Sequence, residues 1–339
     1  MDKIVVDAPL DMHVHLRQDA LLRVVTQLTY PTWAGVMAMP NTNPPITTVE
    51  QLAQYRAEIL AAVPQGEAFE PYLTLYFQTS YTRDFLALAK PHILSIKFYP
   101  RNLTTNSHHG CDPGDPAVYD VMAAMEELGI PLSVHPEAEG YYHDREELFG
   151  RFVERWVVRF PRLKIILEHL SDRKSIPLLK HPNVFATVTP QHFLTNGNDW
   201  FGPPFNPHLY CMPCVKRPED AQALLQAATN SSLADKFMAG TDSAPHVEDR
   251  KVSCGCAGVF TAPIALQLYA QAFDGVGAIE KLPAFLGGNA RRIYGVTPPK
   301  KKITLVRKPY AIPERYDNGG SGQDLIPMWA GRTIDWSVE

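Results

Sequence analysis

Long apolar runs are missing from this chain. No stretch reaches 18 apolar residues, so nothing in it spans a membrane as a helix. A strong charge of one sign is missing too. With 32 basic against 36 acidic residues and a net charge of −4, nucleic-acid binding is not expected as its main role. The opening "MDKIVVDAPL" has no basic start, apolar stretch or small-residue cleavage site of an export signal, so a cytoplasmic protein is expected. Cysteine is sparse, and in that compartment Cys111, Cys211, Cys214, Cys254 and Cys256 are expected as thiols. No Gly/Ser linker or low-complexity segment divides the chain. We expect one domain over 1–339, with 291–339 as a C-terminal extension packed on it.

What is present is alternation. Eight short apolar runs recur: "DMHVHL", "AGVMAMPN", "YLTLYF", "LSIKFYP", "PLSVHPE", "KIILEHLS", "FATVTPQ" and "KFMAGTDS". Helical spacing fills the gaps between them. One such segment is "TVEQLAQYRAEILAAV". Another covers 144–160, where Phe149, Phe152, Val153, Trp156, Val157 and Phe160 share a face. Alternating strands and helices imply parallel strands with crossover helices. Eight units, a 45% hydrophobic fraction and 339 residues suit an α/β fold, the (β/α)8 TIM barrel. An open doubly wound sheet is the competitor, but no Gly-rich dinucleotide loop follows any run. The glycines of "LGGNARR" follow a helical segment and read as a bend or cap.

Residues two apart on a strand share a face. His13 and His15 therefore point together, with Arg17 continuing the row. Lys97 follows Ser95 and precedes Tyr99, His135 follows Ser133, His169 follows Leu167, and Asp242 follows Gly240. Each polar residue stands at the C-terminal end of its run, where barrel strands meet at the catalytic mouth. Four neutral imidazoles and a carboxylate are ligands for zinc or a similar divalent ion, and two ions fit better than one. Lys97 would repel cations as an ammonium. Converted by CO2 to a carbamate, it becomes an anionic ligand able to bridge two metals. Each residue alone also has a structural reading, a hydrogen-bonded core histidine or a lysine paired with a buried acid. Six in one frame at strand ends favour a site.

This pattern resembles the binuclear amidohydrolase superfamily and, within it, the class II dihydroorotases. The matching stretches are "HVHLR", "MPNTNPPITT", "KFYPRNLTTNS", "HPE", "EHLS", "TPQH", "HLYCMPCVKR", "GTDSAPH", "SCGCAG" and "WSV", spread over residues 13–338. The resemblance implies two Zn2+ per subunit held by His13, His15, His135, His169, Asp242 and a carbamate on Lys97. It assigns Arg17, Asn41 and His246 to the substrate carboxylate, and Met212 and Ala257 to the ring through backbone groups. His15 and His135 face substrate as well as metal, and Thr104 and Thr105 form the tip of a lid loop. The implied reaction is reversible cyclisation of N-carbamoyl-L-aspartate to L-dihydroorotate plus water, a step of pyrimidine synthesis. In the ring-opening direction a hydroxide bridging both ions attacks, with Asp242 as general acid and base. A homodimer acting on a small molecule, without nucleic-acid or membrane partners, is also implied.

Related enzymes with longer N-terminal segments carry a flanking sandwich. Here only twelve residues precede His13, too few for that layer. Gln18 departs from the family pattern, which has aspartate there, and His108 and His109 replace the usual serine and histidine. Three other readings compete. A hydantoinase-like enzyme would keep the metals with another carboxylate clamp. A non-enzymatic scaffold would lose ligands. Cys211-x-x-Cys214 with Cys254-x-Cys256 would form a four-thiolate zinc site.

Overall fold

After a first strand, β1 (Lys3–Asp7), the eight apolar runs become eight parallel strands in sequence order. They are β2 (Leu10–Val14), β3 (Gly35–Ala38), β4 (Glu70–Tyr76), β5 (Ser95–Phe98), β6 (Leu132–Val134), β7 (Ile165–Leu167), β8 (Val184–Val188) and β9 (Phe237–Ala239). The computed structural model describes residues 1–230, 232–320 and 322–339. The sheet closes just beyond the strand ends, where Asp242 N–H donates to His13 O at 2.8 Å and His15 N–H to Ser243 O at 3.1 Å. The fold is therefore the expected barrel.

Its crossovers follow local chemistry. α1 (Asp19–Thr29) buries Leu22 and Val25. α2 (Val49–Ala61) starts with a reciprocal capping box between Thr48 and Gln51. α3 (Arg83–Ala89) is capped by Thr82. α4 (Pro116–Leu128) has Asp115 as its cap, proline at its first position and Gly129 in the left-handed region just past its end. α5 (Arg145–Arg159) buries Phe149, Val153, Trp156 and Val157 on the face that the sequence spacing selects. The β7–β8 crossover is a 3-10 segment, Arg173–Lys180. α6 (Pro190–Leu194), α7 (Gly197–Phe201) and α8 (Pro218–Asn230) fill the next connection. α9 (Glu248–Ser253), α10 (Ala265–Gly275) and α11 (Asn289–Tyr294) follow β9.

One apolar cluster joins strands to helices right round the barrel. Another unites Leu10, Met12, Met37, Ile166, Phe185 and Met238 with Ala290 and Ile293 of α11. The glycines of "LGGNARR" form neither bend nor cap. Ala284–Gly288 is a π-helical turn running into α11. A Cβ on Gly287 would stand 2.9 Å from Ala8 O, so close passage against the β1–β2 link requires glycine there.

The residues ahead of His13 do reach a flanking sheet, though a small one. β1 pairs antiparallel with β10 (Lys302–Ala311), which pairs with β11 (Thr333–Val338). The other two strands come from 302–338, so twelve residues suffice for one strand of three. Among the described residues no helix is long and apolar enough to cross a membrane.

Candidate active site

Five of the six residues, His13, His15, His135, His169 and Asp242, line one pocket at the C-terminal mouth, and Lys97 is buried outside its wall. Ring centroids of His13 and His15 lie 5.4 Å apart, His13 and His169 4.9 Å, and His135 and His169 4.8 Å. Asp242 Oδ1 is 3.0 Å from His15 Nε2 and 3.4 Å from His13 Nε2. Ligand atoms of His13, His15 and Asp242 all fall within 4.8 Å of one another, a spacing that suits one cation. His169 and Asp242 hold φ values of 44° and 45°, and Arg17 one of 64°. Such left-handed backbone is costly for residues with a Cβ and concentrates at working sites. Here it is held by the Asp242 amide bond to His13 and by a 2.7 Å bond from the His169 amide to Thr187 Oγ1.

Among the described residues several buried polar atoms have no hydrogen-bond partner: Lys97 Nζ, His169 Nδ1, Glu168 Oε1 and Tyr99 OH. Four orphans around one floor are expensive without a further occupant. Cations held by imidazole and carboxylate satisfy the histidine, so the donor set fits divalent metal. Lys97 is wholly buried. Burial pulls its pKa down to about 8, against the opposing pull of Glu168 and Asp242. More of the neutral amine therefore exists near neutrality than in an ordinary lysine, and the free amine is the form that reacts with CO2.

Carboxylates outside this set hydrogen-bond to its histidines, and the sequence reading missed them. Glu168 Oε2 is 3.0 Å from His13 Nδ1 and accepts from Thr187 Oγ1 at 2.6 Å. Glu137 Oε2 is 2.7 Å from His135 Nε2. Asp11 accepts from the Thr241 hydroxyl at 2.6 Å and from the His13 amide at 3.2 Å. Glu168 and Glu137 thereby set the tautomer and orientation of the His13 and His135 rings, while Asp11 holds the His13 backbone. Their signal was available for Asp11 and Glu137, each two residues from the histidine it bonds in "DMH" and "HPE", but not for Glu168, whose neighbour is His169 and whose partner is His13.

Arg17 spends its Nε on Pro245 O at 2.9 Å. Its Nη2 lies 3.0 Å from His246 Nε2. Burial lowers its pKa only to about 10, so it remains charged. Burial, then Arg17, pushes His246 down to about 3, leaving a neutral ring. The same Nε2 is 3.0 Å from Ala257 O, so it serves Arg17 or Ala257 but not both in one tautomer. His13, His15, Arg17, Asn41, Thr104, Thr105, His135, His169, Met212, Asp242 and Ala257 line one pocket, joined there by Tyr99, Ala244 and Gly258. Lys97 and His246 are not in its wall. Lys97 lies buried near Glu168, and His246 stands behind Arg17.

The 101–110 loop covers the mouth. Asn41 Nδ2 donates to Thr105 O at 3.2 Å, and Asn106 Nδ2 returns a 2.9 Å bond to Asn41 O. Gln18 bridges to the Asn43 backbone, accepting from its N–H at 2.7 Å and donating to its carbonyl at 3.3 Å. The departure at Gln18 thus ties the segment after Arg17 to the loop carrying Asn41. The four-thiolate site does not assemble. Cys211 and Cys214 are buried and Cys254 is exposed, and among the described residues only His13, His15 and Asp242 cluster as metal ligands.

Comparison with known proteins agrees with this geometry. A family model described as amidohydrolase matches residues 101–296. A dihydroorotase of Halorhodospira halophila is 41% identical over all of this chain and 99% of its own. The crystal structure of a dihydroorotase from Campylobacter jejuni superposes with a TM-score of 0.93 at 35% identity, covering 100% of this chain and 98% of that one. The dihydroorotase of Saccharomyces cerevisiae, solved in complex with 5-fluoroorotic acid, gives 0.92 at 31%, covering 100% and 99%. An L-hydantoinase of Arthrobacter aurescens shares the fold, with a TM-score of 0.77 at 13% identity over 99% and 83%.

Proposed function

Because the chain belongs to the dihydroorotases, cyclic amidohydrolases of the amidohydrolase family, we propose that its pocket interconverts N-carbamoyl-L-aspartate and L-dihydroorotate for pyrimidine synthesis. The observation that carries this substrate assignment is the juxtaposition of His13, His15 and Asp242 with the half-buried Arg17 guanidinium in one pocket. His13, His15, His135, His169, Asp242 and a carbamate on Lys97 would hold two zinc ions. Bound there, the ions supply a lowered pKa for coordinated water and polarise the amide carbonyl.

The protein's own groups do the rest. Arg17, fixed by Pro245 O and left-handed backbone, offers its free N–H groups to the substrate carboxylate. Asn41 reaches the same region, with His246 supporting Arg17 from behind. Met212 and Ala257 line the wall against which the ring lies. In ring opening, water adds to the ring amide carbon. Asp242, held ionised against burial by His13 and His15, accepts the proton. It then delivers that proton to the ring nitrogen as the C–N bond breaks. Ring closure runs through the same groups in reverse. The loop with Thr104 and Thr105 shuts out bulk water.

Purified protein of measured metal content, given carbamoyl aspartate, should show the absorbance of the ring product. Turnover of a hydantoin with none of dihydroorotate would replace this reading with the hydantoinase one.

A further inference from the structure

We propose that Cys254 and Cys256 form a reversible disulfide, a modification site on the loop that carries Ala257. Their Sγ atoms are already 3.2 Å apart at the molecular surface, with Gly255 between them at φ 59°. Left-handed backbone at Gly255 folds the three residues back on themselves, which side-chain-bearing residues resist. Bond formation needs the sulfurs to approach to roughly 2.05 Å.

The other thiols are poorer reactants. Cys111, Cys211 and Cys214 are buried, and burial pushes each of their pKa values up. Cys254 moves the opposite way, its thiolate favoured first by Cys256 and then by Arg250. Exposed thiolate is the nucleophilic form. With a small disulfide as oxidant, the Cys254 thiolate attacks one of its sulfurs and expels a small thiolate. Cys256 then loses its proton to solvent, attacks the Cys254 sulfur and expels what became bound there. Two protein thiols give up two electrons and two protons, and the small disulfide becomes two thiols. A short loop of this kind strains the bond and makes it readily reducible.

The consequence reaches the pocket through Lys251. Its buried ammonium donates to Cys256 O at 2.9 Å and Gly258 O at 2.7 Å, clamping the carbonyls on both sides of Ala257. The amides of Cys254 and Cys256 both point at Arg250 O, at 3.4 Å each, so tightening this loop pulls on the turn that holds Lys251. Ala257 O faces His246 at 3.0 Å beside Arg17. Oxidation therefore disturbs the substrate end of the pocket and spares the metal end. That consequence rests on the proposed roles of Arg17, His246 and Ala257, whereas bond formation does not.

Metal-loaded enzyme is equilibrated with graded ratios of oxidised to reduced glutathione. The expected result is loss of two of the five thiols, a peptide map linking Cys254 to Cys256, and full reversal by dithiothreitol. KM should rise roughly three- to tenfold, the size of one weakened hydrogen bond, with unchanged metal content. C254S and C256S, assayed reduced, should match wild type and show no response to the glutathione ratio. A pair that stays reduced, or ends only as mixed or intermolecular disulfides, overturns the proposal. If the bond forms and KM does not move, the link to the pocket is refuted. Absence of any dihydroorotate turnover by the reduced enzyme would sink the functional reading alone, because thiol count and mapping need no substrate.

Discussion

Arg17 has its backbone in a costly conformation and its Nε committed to a carbonyl, so its remaining N–H groups are aimed before any substrate arrives. Among the described residues it hydrogen-bonds to Pro245 and His246 and to none of the proposed metal ligands, which separates anion recognition from metal retention. A charge-assisted hydrogen bond contributes about 1.5–3 kcal/mol. Arg17→Met should therefore raise KM by roughly ten- to a hundredfold, with metal content by elemental analysis equal to wild type. Loss of metal in that variant would break the assignment. His192, by contrast, is a structural residue. Its ring lies 2.8 Å from Thr189 Oγ1 and 3.1 Å from Pro213 O, and burial depresses its pKa from 6.5 to about 4. Folding thus favours the neutral ring. The stability it confers is complete above pH 6.5 and is lost as pH falls from there towards 4. The full effect is about 3 kcal/mol. In urea unfolding at pH 7.5 and 4.5, His192→Gln should lose less stability on acidification than wild type, by about 2–3 kcal/mol. Equal losses would show that the ring is protonated in the folded state.

Among the elements, the 101–110 loop is the one that must act. It is held down by the Asn41–Thr105 and Asn106–Asn41 bonds and by Ser107 Oγ, which donates to Thr104 O at 2.6 Å. Removing the Asn106 amide leaves the tip with fewer ties. Asn106→Ala should lower kcat/KM by about tenfold, the cost of about one to one and a half kcal/mol for a lost bond. Trypsin should also cleave faster after the exposed Arg101, with a bound substrate analogue restoring protection. Equal cleavage rates in the two proteins would mean that the amide does not fasten the lid. The barrel strands were legible because each is a short apolar run set between stretches of helical spacing, as in "LSIKFYP" and "KFMAGTDS". The six residues at their ends were legible by the two-residue repeat, although β7 and β9 stop short of His169 and Asp242. Those two reach the mouth on left-handed backbone, which strand periodicity does not foresee. Asp11 and Glu137 share the two-residue rows of His13 and His135, so their positions were legible although their roles were not. Glu168 was hidden, because it stands beside His169 yet bonds His13, 155 residues away. The π-helical turn at Ala284–Gly288 escaped for another reason: Gly287 is required by contact with Ala8, almost the whole chain away.

Taken whole, the molecule ties its two ends together behind the site. β1 leads through Ala8 and Pro9 straight into β2, which carries His13. β1 is paired with β10, and Ala8 N–H donates to Lys301 O at 2.6 Å. β11 locks β10 in turn and lays Trp336, fully buried, near α10, where its indole N–H donates to Asp274 at 3.3 Å. Arg307 stacks over that ring at 5.2 Å to its centroid and pairs with Asp274 through Nη2. Among the described residues, none from this sheet lines the candidate pocket. Its energetic weight and its catalytic weight therefore come apart. Trp336→Ala removes a large buried side chain that the surroundings cannot refill, a change that costs about 3–5 kcal/mol. The unfolding midpoint should fall by several degrees, since about 1 kcal/mol moves Tm by roughly 2 °C or less in a chain of this size. KM for the folded fraction should stay within twofold of wild type at 20 °C. Trp336→Phe, which keeps an aromatic ring there, should fall between the two in stability. Were KM to change in parallel with Tm across this series, the sheet would be setting the position of β2 and with it the geometry of the mouth.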